Sequence, residues 1–356
     1  MKKVAILIPT INREEFLIRT IEYYASINSP HPIYIGDASI KSHEEEVLIA
    51  AKNSVKVYYF HWEGEGDRRT LQRLAEEANK INNTQFCAYH GDDDFFVPQS
   101  LSTCAEFLQE NPSYATAQGR AITIRLKSDG PYGDLADLCI YWNKKELNAE
   151  TSLERLKEIS LNYFTLMFSV HRIIELIEDY SNGIETVKDR ALGEYINTLS
   201  IAIRGKSKFI DCLYMARGIH SNNFANLKDR TKFQWITEKG WHQSYSALVE
   251  SLSLVLSKND NLELNDSESE VRKSIQRLIN TDNDFNSSIT LFLKLKYAEL
   301  INTNILVKAF HKIYRRVRYI SIFPDTGFSK NSLMSSNSRH SKDISLIVSA
   351  CKKLDR

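Results

Sequence analysis

No stretch of this 356-residue chain holds the roughly 18 consecutive apolar residues that a membrane-spanning helix needs, so a bilayer can be met only from the side. Cysteine is scarce and scattered. Cys87, Cys104, Cys139, Cys212 and Cys351 are odd in number and form no C-x-x-C pair, which argues against a disulfide framework and a structural zinc, and for reduced thiols in a cytoplasmic compartment. A dominant charge is missing as well: 46 Lys and Arg stand against 45 Asp and Glu, so no overall field draws the chain to nucleic acid or to a membrane surface, and no known nucleic-acid motif appears. There is no internal repeat of about 20 to 50 residues. An apolar content of 42% is that of an ordinary globular protein, here long enough for one large domain and a smaller one.

What is present begins with Val4 to Ile8, a continuous apolar run after Met1-Lys2-Lys3. It is too short for the core of a signal peptide and reads as a parallel strand covered on both faces. Asn12 with Glu15 makes a capping box for a helix reaching about Ile27, with Phe16, Leu17, Thr20, Ile21 and Tyr24 on one face. Pro32 to Asp37 is a second strand, Glu44 to Lys52 a helix, and Val55 to Phe60 a third strand. Gly64-Glu65-Gly66-Asp67-Arg68-Arg69 turns into a helix from Thr70 to Ile81, and a fourth strand starts at Phe86. This alternation implies right-handed crossovers and an open, mostly parallel α/β sheet sandwiched by helices.

Further on, Pro98 to Glu110 reads as a helix, Ala115 to Leu126 as a strand and Lys127 to Asn148 as a loop able to reach over a site. Thr151 to Leu161 is helical, Tyr163 to Val170 reads as a strand, and Ile173 to Tyr180 and Asp189 to Ile203 are helices ahead of the apolar run into His220. Beyond Asn223 the pattern is helical throughout, in Trp235 to Ser257, Ser267 to Ile279, Ser287 to Leu300 and Ile305 to Tyr319. The expected division is therefore a domain over 1–222 and an all-helical extension over 223–356, with a mobile polar stretch from Ser329 to Ser341 and a closing helix from Ile344 to Ala350.

The chemistry concentrates at Gly91-Asp92-Asp93-Asp94, where an apolar strand stops at three carboxylates. Adjacent negative charges repel unless a cation sits among them, and Mg²⁺ or Mn²⁺ with oxygen ligands keeps positions open for phosphate. The plainer reading makes these acids caps for the helix that begins near Pro98. Ligands of open parallel sheets bind at the carboxyl ends of the strands, the edge where Thr10, Asp37, Gly66, Arg68 and Asp92 to Asp94 would gather.

Ile8-Pro9-Thr10-Ile11-Asn12-Arg13, Ile35-Gly36-Asp37-Ala38-Ser39, Gly64-x-Gly66-x-Arg68 and Gly91-Asp92-Asp93-Asp94 together resemble, in order and spacing, the family 2 glycosyltransferases of the GT-A fold, over roughly residues 1 to 222. The resemblance implies a nucleotide-sugar donor lying against Pro9, Thr10, Arg13, Asp37, Gly66, Arg68, Asp92 and Asp93. Asp37 would meet the base, Asp92 the ribose, and Asp94 with His220 a divalent Mn²⁺ or Mg²⁺ cofactor. The family's catalytic base falls in a Glu-Asp pair; here Gly193-Glu194 occupies that place, so Glu194 is the candidate and Asp189 its rival. Ala38, where a second acid is common, leaves the nucleotide open.

The activity so implied is metal-dependent transfer of a sugar, with inversion, to a glycan or lipid-linked acceptor in surface polysaccharide synthesis. Rival readings keep the fold for nucleotidyl or alditol-phosphate transfer, or for a non-catalytic glycan-binding scaffold. Lys308 to Tyr319 is a basic amphipathic stretch that reads either as a packed, solvated helix face or as a patch resting on anionic lipid at the inner face of a membrane. Oligomeric state is left open.

Overall fold

The computed structural model describes residues 2–142, 145–183, 190–221, 236, 239–281 and 338–352. Its body is a mixed sheet of nine strands among the described residues, six of which run in one direction. Strands β1 (Ala5–Thr10), β2 (Ile33–Asp37), β3 (Val57–His61) and β4 (Phe86–Tyr89) lie in the order β3-β2-β1-β4 and are all parallel. They are joined by helices α1 (Glu14–Ser26), α2 (Glu44–Ala51) and α3 (Asp67–Asn82). Val4 to Ile8 is wholly buried, as a strand covered on both faces must be. The chain builds outward from β1 to β3 and then returns to place β4 on the other side of β1, so the order reverses between β1 and β4. A crevice opens at the carboxyl ends of the strands at such a switch point.

The second half of the sheet is less regular. After β5 (Phe95–Phe96) and α4 (Pro98–Glu110) come β6 (Tyr114–Leu126), β7 (Leu135–Trp142), α5 (Ser152–Leu161) and β8 (Val170–Arg172). Helices α6 (Ile173–Gly183) and α7 (Arg190–Arg204) precede the long β9 (Lys206–Ile219). β9 lies parallel to β6 and antiparallel to β5, which brings its far end over the turn between β4 and β5. Helices α8 (Trp241–Asp260), α9 (Leu264–Thr281) and α10 (Ser341–Ala350) complete the described chain.

Three apolar clusters hold these layers together. One lies between a sheet face and α1, α2, α4 and α10; Ile344 and Ile347 bring the last helix back onto the N-terminal body. A second joins the opposite face to α3 and α6 through Leu71, Leu74, Ile173 and Leu176. The third is helical: Leu156 and Ile159 of α5 and Ile196, Leu199 and Ile203 of α7 pack with Leu248, Leu252 and Leu256 of α8 and Val271 and Ile275 of α9. The expected division at 222 thus runs through a shared core.

Several local expectations need correcting. Lys127 to Asn148 is not all loop, since β7 pairs antiparallel with β6 inside it. Of Tyr163 to Val170 only Val170 is in a strand. The helix after Gly66 starts at Asp67 rather than Thr70. Asn12 does not cap α1: the Ser39 hydroxyl takes its N–H at 2.7 Å, it sits at φ 53°, and Arg13 becomes the N-cap with no side-chain bond. Two acids in the first turn, Glu14 and Glu15, favour that helix end instead through the macrodipole. The expected helices over 287–300 and 305–319, the basic stretch Lys308 to Tyr319, and Asp189 lie outside the described residues. Among the described residues no helix is long and apolar enough to cross a membrane.

Candidate functional site

The strand tips carry the site. Thr10 of β1 pairs in register with Asp37 of β2, which pairs with His61 of β3, so the three form one row at the carboxyl edge. Across the switch point the turn after β4 presents Asp92, Asp93 and Asp94, all buried. Thr10 donates its hydroxyl hydrogen bond to Asp92 Oδ2 at 2.6 Å. Arg13, just past β1, bridges two of the acids, with Nε 3.3 Å from Asp92 Oδ1 and Nη2 2.8 Å from Asp93 Oδ2. His220, just beyond β9, places Nε2 2.8 Å from the same Asp93 oxygen and 3.1 Å from Arg13 Nη2, and its ring stacks on Phe16 at 4.5 Å. Three segments far apart in sequence thus meet in one network.

The family resemblance implied Asp94 and His220 as joint metal ligands; the structure sets His220 on Asp93. Asp94 turns the other way, accepting the Gly218 N–H at 3.1 Å and lying 3.5 Å from Arg217 Nε. Gly218 has to be small: a Cβ there would come within 2.8 Å of the Asp93 carbonyl oxygen. Electrostatics separates the three acids. Burial and the neighbouring Asp93 push Asp92 and Asp94 up to about 7, against Arg13 and Arg217 respectively. Burial also works against ionising Asp93, but the His220 hydrogen bond and the Arg13 guanidinium outweigh it and hold this carboxyl below the usual range. Asp93 is therefore the most fully ionised of the three at neutral pH.

The donor set can be tested against the expected ion. Among the described residues no group of three or more His, Cys, Asp or Glu is arranged to hold a metal ion. Asp93 Oδ2 and His220 Nε2 are two donors at contact distance, one oxygen and one imidazole nitrogen. That pair falls short of a protein cage, and an ion held there would draw its remaining ligands from water and phosphate oxygens.

Asp37 lies at the adjacent strand tip, fully buried, with Ser39 N–H on Oδ1 at 2.8 Å and the Tyr59 hydroxyl on Oδ2 at 2.5 Å. Burial and this bond push the Tyr59 phenol up to about 12, so it stays a donor. Pro9 pairs with Gly36 within the same row of strands. Gly66 caps α3 with ordinary extended backbone and open space where a Cβ would go, so nothing there demands glycine; Gly64, at φ 71°, is the one that does.

Arg68 does reach the site's far wall. Its guanidinium packs on Gly193, where a Cβ would meet Arg68 Nη1 at 2.4 Å, and Gly193 leads into Glu194. The exposed Glu194 side chain accepts the Tyr163 hydroxyl at 3.0 Å. Its dense surroundings raise its pKa, opposed by that bond and by Arg217. Arg217 is the cation common to both walls: its guanidinium lies between the rings of Tyr141 and Phe168, 4.7 and 4.9 Å from their centroids, and its charge acts on Asp94 and on Glu194.

Sequence reasoning missed four contributors. Arg217 and Gly218 were passed over as part of a run into His220. Arg19 donates to the carbonyls of Asp93 at 2.7 Å and Pro131 at 2.8 Å, and Thr20 donates to the carbonyl of Asp92 at 2.7 Å. The signal for Arg19 was available: a buried arginine on the apolar face of α1 needs partners.

No protein-family model matches the chain, and no curated protein matches it. Among solved structures it is similar to S. aureus TarS. TarS 1–349 in complex with UDP-GlcNAc matches with a TM-score of 0.48 at 12% identity, over 78% of this chain and 72% of that one. A longer TarS structure matches with a TM-score of 0.47 at 15% identity, over 99% of this chain and 55% of that one. TarS 1–349 with UDP gives 0.42 at 12%, over 81% and 92%.

Proposed function

We propose that the chain is an inverting glycosyltransferase that moves a sugar from a nucleoside-diphosphate donor to a hydroxyl of a glycan or lipid-linked acceptor. One observation carries the reading: Thr10, Arg13, Asp92, Asp93 and His220, drawn from β1, the β4–β5 turn and the end of β9, converge at the switch point of a parallel sheet. The charged cluster on that edge suits a nucleotide diphosphate, with Asp37 and Asp92 toward the nucleoside and the cations Arg13 and Arg68 toward the phosphates.

On the opposite wall Glu194 is the base. Its raised pKa brings it nearer to neutral pH, where a carboxylate removes a proton most effectively. The acceptor O–H gives its proton to a Glu194 oxygen as the oxygen attacks the anomeric carbon; the bond from that carbon to the diphosphate breaks and the nucleoside diphosphate leaves. One base and no second nucleophile gives inversion. Tyr163 fixes the Glu194 carboxylate, and Arg217 steadies charge on both walls. Asp93 and His220 would hold a Mn²⁺ or Mg²⁺ ion, whose positive charge would be supplied to the leaving diphosphate.

Thermal-shift screening of nucleoside diphosphates with Mn²⁺, followed by donor turnover, tests this, since a ligand that binds only the native state raises its melting temperature. Glu194→Gln is expected to cost on the order of 10²–10⁴ in turnover while leaving the nucleotide shift intact. Near-normal transfer by that variant removes Glu194 as base. Turnover undiminished by EDTA removes the ion.

A further inference from the structure

The helical layer carries a groove away from the strand-tip residues of the proposed donor site. It lies between α8 and α9, has a volume of about 570 Å³, and its described lining includes Trp241, His242, Tyr245, Arg272, Lys273 and Gln276. Trp241 and Tyr245 stand one helical turn apart, their ring centroids 5.4 Å from each other and tilted by 32°. Arg272 faces them from α9, with its guanidinium 5.5 Å from the Tyr245 centroid.

Its place follows from the helix directions. The Asp260 carboxylate at the end of α8 takes the N–H groups of Ser152 and Leu153 at the start of α5, at 2.9 and 2.8 Å. Asn259 donates to the Ile203 carbonyl near the end of α7, and Arg155 of α5 donates to the carbonyls of Ala202 and Ile203. One end of the bundle therefore holds the start of α5 and the ends of α7 and α8. The other end holds Tyr163, Glu194 and the start of α8. From Ile203 back to Glu194 is about 14 Å of helix, and from Asn259 back to Tyr245 about 21 Å. Since α7 and α8 run the same way, the aromatic pair lies at the Glu194 end and extends past it.

We propose that this groove binds an anionic glycan, a sugar chain bearing phosphate or uronate groups, as the acceptor subsite of the same enzyme. The inference rests on the transferase reading. Flat amphipathic rings on adjacent turns accept the apolar face of a pyranose while their polar edges stay wet. Arg272 and Lys273 supply the charges that meet the anion. Arg272 now meets exposed Glu268 at 2.7 Å and lies over Tyr245, and Lys273 meets half-buried Glu270 at 2.6 Å, which Lys157 shares at 3.2 Å; an anion would compete with these surface pairs. Nucleic acid is the competing occupant for aromatic and basic residues together, and a net charge of +1 speaks against it.

Equilibrium binding without donor tests the groove directly. The probes are an oligogalacturonide, a phosphorylated mannan oligosaccharide, a neutral malto-oligosaccharide, poly-glutamate and oligo(dT), against wild type, Trp241→Ala and Arg272→Gln. At least one of the two anionic glycans is expected to bind more tightly than the neutral one, and both substitutions to weaken it tenfold or more. Which of the two binds tells uronate from phosphate. Arg272→Gln, on an exposed helix face, keeps the test valid if Trp241→Ala does not fold. The proposal is overturned if neither anionic glycan binds, if the substitutions leave affinity unchanged, or if poly-glutamate or oligo(dT) binds as tightly. Nucleoside-diphosphate thermal shifts on the same proteins separate the two ideas: loss of that shift in wild type sinks the transferase reading, whereas the glycan titration judges the groove.

Discussion

Removing the Arg13 guanidinium is expected to destabilise the fold in a pH-dependent way. Arg13 lies 3.3 Å from one carboxylate and 2.8 Å from another, with its side chain 21% exposed and the two acids 4% and 7% exposed. Breaking one partner out of a buried ion group costs about 3–5 kcal/mol, because the charge left behind is still desolvated. Thr10 stays on Asp92 and His220 on Asp93, so Arg13→Gln belongs near the lower end, about 3 kcal/mol at pH near 8. The sign with pH follows from the same contacts. The guanidinium lowers the folded-state pKa of both Asp92 and Asp93, so its loss raises them. An acid whose folded pKa is raised is penalised while ionised and relieved by protonation, so the deficit shrinks as pH falls. Urea unfolding of variant and wild type at about pH 8 and about pH 5 measures this; the difference should drop to roughly 1 kcal/mol at the lower pH. Adding Asp93→Asn to the variant should recover part of the loss, giving a coupling energy above about 0.5 kcal/mol. Equal deficits at the two pH values, or a deficit below about 1 kcal/mol at pH near 8, would refute the charge argument.

Two buried histidines set an acid limit on stability. Burial lowers His171, whose Nε2 is 2.9 Å from the Met167 carbonyl, and His90, whose Nε2 is 2.7 Å from the Tyr24 hydroxyl, to about 4 each. Since both titrate below the unfolded value of about 6.5, stability is full above that pH and is lost as pH falls toward 4, by up to about 3 kcal/mol per residue; urea midpoints between about pH 7 and 4.5 check this, and a flat profile refutes it. Gly218→Ala drives a methyl against the Asp93 carbonyl and should cost about 1–3 kcal/mol and weaken the nucleotide-dependent thermal shift, whereas Gly66→Ala, with open space, should cost only the poorer helix cap, about 0.5–1 kcal/mol, and leave that shift intact.

The half of the site on the parallel strands was legible because each strand there is a continuous apolar run that stops at a polar residue. Val4 to Ile8 and Phe86 to Tyr89 announce both the sheet and its edge. Register across β9 was not legible. Arg217, Gly218 and His220 reach the acid turn only because β9 pairs with β6 along its length and with β5 at Phe95 and Phe96, and no local pattern encodes so distant a pairing. β7 was lost for a different reason: Gly130-Pro131 and Gly133 punctuate the run before it, and an edge strand of mixed polarity carries a weak signal. The capping box failed through tertiary override, the Ser39 hydroxyl having claimed the Asn12 N–H. That Asp93 is the acid facing His220 was not legible either, since a triplet of identical residues does not say which of them does so.

The pairing of Asp93 with both Arg13 and His220 leads to one last expectation about ligand exchange. Were an ion held by Asp93 and His220, it would compete with the guanidinium for the same Asp93 oxygen. Such competition would release Arg13 from Asp93 while Asp92 still holds it, leaving the guanidinium able to meet phosphate oxygens. Arg13→Gln should then bind Mn²⁺ alone more tightly than wild type while binding nucleoside diphosphate with Mn²⁺ at least tenfold more weakly. Titration calorimetry with Mn²⁺, and then with nucleoside diphosphate at saturating Mn²⁺, reads both changes. If the two affinities move in the same direction, Arg13 does not exchange between carboxylate and phosphate, and it acts only as a fixed brace for the acid turn.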